Sequence, residues 1–129
     1  MASTITKTES NVTPGKAREL RLVKLAWLAH TDGVVTGEAT SYRYNGKIVQ
    51  VVFVPDTGGT APDDQHDATL TDTNSIDLLY GQGANLSGTQ TVVIQSNLGY
   101  VVNSTLTLAV TGAGSANGGT AYVYIQEEV

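Results

Sequence analysis

Residues 19–30 read ELRLVKLAWLAH, and the fold of the chain turns on whether this segment is a helix or a strand. A helix would gather Leu20, Val23, Trp27 and Leu28 near one face. A strand would alternate Arg21, Val23, Leu25 and Trp27 against Leu20, Leu22, Lys24, Ala26 and Leu28. The strand is favoured, because the following HTDGVV supplies an Asp32-Gly33 turn of the kind that joins antiparallel strands.

Downstream segments follow the same pattern. TGEATSYRY runs to Asn45-Gly46 and continues as KIVQVVFV until Pro55; Asn-Gly between two β-rich runs is a strong hairpin signal, since both residues tolerate positive φ. KIVQVVFV is almost continuously apolar and predicts a central strand, with its inward set open between Val49, Val51 and Phe53 and the alternative spacing of Ile48, Val52 and Val54. PDTGGTAPDDQHD (55–67) predicts a surface loop, ATLTD a short strand, and DLLYGQGANLSG a short strand with a glycine-rich crossing. TQTVVIQSN, STLTLAVTG and TAYVYI complete about eight short strands, the last two joined by the small-residue loop AGSANGG. Val, Ile and Thr suit pleated surfaces and Gly and Asn suit turns, so the expected fold is all-β, an antiparallel β-sandwich or jelly-roll-like single domain. Residues 1–17 are polar, contain Pro14-Gly15 and lack periodicity, which predicts an extended N-terminal arm before a sandwich domain over 18–129.

Charge is distributed unevenly. All seven lysines and arginines lie in the first 47 residues, where four acids leave a formal +3; the remaining 82 residues carry eight acids and a formal −8. Such an asymmetry suggests an attachment arm on an acidic body. The net charge of −5 argues against a phosphate-backbone partner, and no aromatic residue in the arm could stack on a base. The absence of cysteine removes disulfides and thiolate chemistry. No apolar run approaches the ~20 residues that cross a bilayer, and the opening residues lack the layout of a secretory signal, so a cytoplasmic origin is expected without a membrane partner.

Chemical motifs are sparse. Asp63, Asp64, His66 and Asp67 offer metal-ligand types, yet four ligands in five residues cannot readily converge, and a solvated acidic loop is the expectation. Asp72, Asn74 and Asp77 lack the glycine and the terminal Glu of a calcium loop, which leaves an Asx-stabilised turn. GQGANLSG has no third glycine at the dinucleotide-motif spacing and no following lysine, so it reads as a close backbone crossing. Neither His30 nor His66 stands near a G-x-S-x-G elbow, and Glu38 is the one acid expected inside a strand; no enzyme, cofactor or metal is expected. Tyr42 with Tyr44, and Tyr122 with Tyr124, each have strand spacing and hence a shared face, suited to a sugar platform, a protein contact or a structural ladder.

The order of KLAWLAHTDGVVTG (24–37), YRYNGKIVQVVFVPDTGGTAP (42–62), HDATLTDTNSIDLLYGQGANLSG (66–88) and STLTLAVTGAGSANGGTAYVYI (104–125) resembles small β-sandwich virion proteins of tailed bacteriophages, particularly capsid cement or decoration proteins, over residues 22–126. That resemblance implies a structural protein on the outer capsid surface, made in the bacterial cytoplasm, which binds the major capsid protein and itself as a dimer or trimer. A carbohydrate-binding, fibre or connector module is the alternative. Lys7, Lys16, Arg18 and Arg21, with Tyr42 and Tyr44, are then the candidate partner-binding residues.

Overall fold

The structure, a computed structural model, describes residues 3–9 and 20–127. Within them eight strands run as β1 (Thr4–Glu9), β2 (Leu20–Leu28), β3 (Tyr44–Pro55), β4 (Asp67–Thr71), β5 (Val92–Ile94), β6 (Tyr100–Ser104), β7 (Thr107–Thr111) and β8 (Gly118–Glu127). Among the described residues the one helical element is a 3₁₀ turn at Gly58–Thr60. The larger sheet has the order β1-β2-β8-β3-β5, with β6 also on β3, and the smaller pairs β4 with β7; every pairing is antiparallel. The all-β sandwich-like expectation holds.

Residues 20–28 form a strand for the reason their alternation suggests. Arg21, Val23, Leu25 and Trp27 are buried, whereas Leu20, Leu22, Lys24, Ala26 and Leu28 face the other way. Ala121, Val123 and Ile125 of β8 and Ile48, Val51 and Phe53 of β3 join the same core, completed by Ala68, Leu70, Leu108 and Val110 of the small sheet. Each aliphatic side chain buried there contributes about 1.5–3 kcal/mol of transfer free energy, enough for this shared core to set which face of each strand turns inward.

Four expectations need correction. First, Thr4–Glu9 of the expected arm is strand β1, paired residue for residue with β2 from Thr4↔Leu28 to Glu9↔Val23, with Ile5 buried. Threonine favours the pleat, and Ile5 gives the strand an anchor in the core. Residues 10–17 of that arm lie outside the described residues. Second, the Asp32-Gly33 turn forms, with Gly33 at φ +81° and its N–H donating to His30 O, but it leads the chain to the small sheet through a Val35↔Val110 bridge. Third, Asn45-Gly46 makes no hairpin: it lies inside β3. The glycine is needed there because a Cβ would stand 2.1 Å from Gln126 O on β8. Fourth, DLLYGQGANLSG contains turns rather than a strand, and Leu78, Leu79 and Leu86 plug the core from it. A Cβ at Gly83 would meet Ala68 O at 2.2 Å, so the close crossing expected of this segment is present.

A register shift between Ile48 and Gln50 against β8 settles the inward set of β3. The bulge at Val49 lets Ile48 face inward together with Val51 and Phe53, which strict alternation forbids. Strand β6 covers a run, YVVNS, in which Val101 is buried and Tyr100 and Val102 stay exposed.

Candidate functional site

Two regions gather the side chains of interest: a polar junction where β1, β2, β3 and β8 meet, and the outward face of the large sheet. At the junction, the inward side of β1 presents Ser3, Lys7 and Glu9 to the segment that follows the first turn. Ser3 Oγ accepts from Thr36 N–H (3.2 Å), and Lys7 Nζ donates to Ala39 O (3.0 Å) with Glu38 Oε2 at 3.9 Å. Glu9 closes the row, its carboxylate accepting from Ser41 N–H (2.9 Å), Tyr42 N–H (3.2 Å) and the Tyr44 hydroxyl (2.5 Å). Burial raises the Glu9 carboxyl pKa, but the donations from Tyr44, Ser41 and Tyr42 outweigh it, and the net shift is downward from the usual carboxylate value. Burial, together with the hydrogen bond and charge of Glu9, pushes the Tyr44 phenol well above its ordinary range.

The Arg21 guanidinium lies 5.0 Å from the Tyr44 ring centroid and 6.0 Å from that of Tyr42, and its Nη1 donates to Glu127 Oε1 at 3.1 Å. Glu127 Oε2 accepts from Asn45 N–H, so the last strand is tied to the third. Arg21 Nε is buried with no partner among the described residues. The junction therefore brings together Arg21, Tyr42 and Tyr44 from among the sequence-derived candidates, but as an internal fastening: Tyr44 is fully buried, so the two tyrosines do not form an open shared face. Lys7 is engaged with the chain's own groups, and Lys16 and Arg18 lie outside the described residues. Glu9 and Glu127 escaped sequence reasoning because their partners stand 35 and 106 residues away.

The acidic loop does not converge. Asp64 Oδ1 accepts from Gly88 N–H and Asp67 Oδ1 from Asn85 N–H. The buried His66 ring lies 5.8 Å from that of Trp27, with Nδ1 2.8 Å from Asp63 O. No group of three potential metal ligands occurs among the described residues. Asp72 accepts from the N–H groups of Asn74 and Ile76, and Asp77 from those of Leu70, Leu79 and Gly81, the Asx turns expected of DTNSID.

The outward face of the large sheet is different. Register places Leu20, Gln126, Lys47 and Tyr100 in one cross-strand row, Leu22, Tyr124 and Gln50 in the next, and Lys24, Tyr122, Val52 and Val93 in a third. Tyr122 and Tyr124 share this face, as their spacing predicts, and the Lys24 ammonium lies 5.9 Å from the Tyr122 ring centroid. Leu20 is 59 % exposed and Val93 51 %. Among the described residues of these rows the charged side chains are Lys24 and Lys47, with no carboxylate. Two depressions adjoin at the bulge: one of about 320 Å³ lined by Leu20, Val49, Gln50 and Tyr124, and one of about 420 Å³ lined by Lys47–Val49 and Gln95–Leu98.

No protein-family model matches this sequence, no curated protein matches it, and no solved structure matches its fold.

Proposed function

We propose that the chain is a structural protein of a virion, a cement or decoration protein that binds the outside of a tailed-phage capsid and stabilises contacts between major capsid protein subunits. The observation that carries this reading is the outward sheet face, on which aliphatic and tyrosine side chains stand beside Lys24 and Lys47 with no carboxylate among its described residues, on a chain of net charge −5. A cement protein requires a stable body and a broad contact surface rather than a reaction centre, and many copies on a symmetric shell turn a modest contact into a durable one. The sequence resemblance over residues 22–126 supports the same assignment, with self-association as a dimer or trimer on the shell exterior after synthesis in the host cytoplasm. Lys16 and Arg18 remain candidates for electrostatic docking on an acidic shell.

The direct test is cosedimentation of the purified protein with tailed-phage shells lacking decoration. Saturable binding at a fixed ratio to the major capsid protein supports the reading, and absence of binding to the shells of the particle that encodes it rejects it.

Tyr122 and Tyr124, half-exposed and adjacent on the outward face, favour a second reading as a carbohydrate-binding module. A glycan array showing binding that disappears in Tyr122→Ala and Tyr124→Ala would establish that alternative, and a silent array would remove it.

A further inference from the structure

The bulge at Val49 does more than settle the register of β3. Val49 lines both depressions, so the two adjoin at the bulge, one reaching toward Leu20 and Tyr124 and the other toward Lys47 and the loop 95–98, and the Gln95 side-chain amide donates to Gln50 Oε1 (2.8 Å) between them; side by side they form a shallow trough. Bulges commonly re-aim side chains at functional surfaces, and this one lies at the place where β5 and β6 separate along the same edge of β3. Strand β5 pairs with Val51–Phe53 and β6 with Tyr44–Lys47, which leaves the middle of that edge to the loop 95–98. The Gln82 side-chain amide donates to Ser96 O and Asn97 O and so holds that loop in place.

The chemistry of the trough is directional. Its β2 end is apolar, with Leu20 and the Tyr124 ring; its other end is polar, with the Lys47 ammonium beside Gln95, Ser96 and Asn97. Lys47 is exposed and no carboxylate lies within ion-pair distance of it among the described residues. The body's described aspartates, Asp32, Asp56, Asp63, Asp64, Asp67, Asp72 and Asp77, sit on loops or at the small sheet, Glu38 lies beside Lys7, and Glu127 is turned inward to Arg21. A face that is cationic on an otherwise acidic body selects against a second acidic surface of the same kind and for a ligand that brings its own carboxylate.

We propose that this trough is a docking site for an extended segment of a partner protein that seats a large apolar side chain against Leu20 and Tyr124 and a carboxylate against Lys47. The depressions, about 320 and 420 Å³, each have the size of a small ligand site. The trough deepens the virion reading by naming the contact face, and its test uses peptides rather than particles, so failure of the trough and failure of the virion reading are seen separately.

The experiment is selection of a displayed library of random 12-residue peptides on the immobilised full chain, followed by affinity measurement of the enriched sequences. The expected result is a consensus that pairs an aromatic or large aliphatic residue with Asp or Glu. Affinity should fall about tenfold in Lys47→Glu and in Tyr124→Lys, and should weaken with added salt. Asp56→Asn, away from the trough, should bind as the parent does. Circular dichroism checks that each variant is folded, and Lys47→Glu, at an exposed position, keeps the test valid if Tyr124→Lys does not fold. Absence of enrichment, a consensus without acids, or binding unchanged in Lys47→Glu overturns the proposal. A concentration-dependent dimer abolished by Lys47→Glu would give the trough to a second copy and overturns it equally.

Discussion

The hydroxyl of Tyr44 donates to the carboxylate of Glu9 at 2.5 Å, and this bond fastens the edge strand β1 to the start of β3. A bond to a charged acceptor contributes more than a neutral one, about 1.5–3 kcal/mol. Tyr44→Phe keeps the buried ring and its contact with Arg21 but removes the donor. It should lower the urea midpoint by the equivalent of about 1–2 kcal/mol with no change in the slope of the transition.

Glu9 also makes stability depend on acid. Its pKa lies below the ordinary carboxylate value in the folded chain, so its contribution is present above the unfolded value and is lost as the pH falls through the folded one. The stability difference between the parent and Glu9→Gln should therefore be constant above about pH 5 and shrink as the pH falls below that of the unfolded carboxyl. A difference that persists unchanged in acid would show that the carboxylate charge is irrelevant. Tyr44 acts at the other end of the scale: its raised pKa means stability declines above pH 10, and Tyr44→Phe should flatten that decline.

Arg21 and Glu127 form a pair whose side chains are 11 % and 12 % exposed. Removal of one partner leaves the other charge buried, so Arg21→Leu should cost about 3–5 kcal/mol, whereas Arg21→Leu combined with Glu127→Leu should recover most of it. Thermal or urea unfolding of the two single variants and the double variant measures the coupling.

Gly46 is the position at which a single methyl group should do most harm. A Cβ there would lie 2.1 Å from Gln126 O and 2.9 Å from its carbonyl carbon, and both belong to the backbone of the central strand β8. Gly46→Ala should destabilise by about 3 kcal/mol, more than Gly59→Ala, where nothing lies within 4 Å.

The same glycine shows where the sequence misleads. Asn45-Gly46 has the chemistry of a hairpin, but the chain before it pairs with β7 through the Val35 and Ala39 bridges, and the glycine serves a close approach of β8 instead. A close approach between residues 80 positions apart leaves no local trace. Strand β2 was legible through the Asp32-Gly33 turn that follows it, since apolar residues on both of its faces blur the alternation that its burial shows, whereas the inward set of β3 was not, since a bulge changes the period midway. Strand β1 has a single buried apolar residue, Ile5, and its other inward side chains, Lys7 and Glu9, read as solvated charges until their distant acceptors and donors are in place. Arg21, Tyr42 and Tyr44 could be named in advance as unusual, but not as members of one junction, because Glu9 and Glu127 complete it from opposite ends of the chain. That Tyr122 and Tyr124 share a face followed from their spacing, whereas which face it is depends on the neighbouring core residues of β8.

The role proposed for this chain is the coating of a capsid. The measurement that tests it most directly is the copy number of the chain in purified particles of a tailed phage whose genome carries this sequence, by quantitative mass spectrometry against the major capsid protein. A cement role predicts a fixed number comparable with that of the major capsid protein. Absence from the particle, or only a few copies in each, would contradict it.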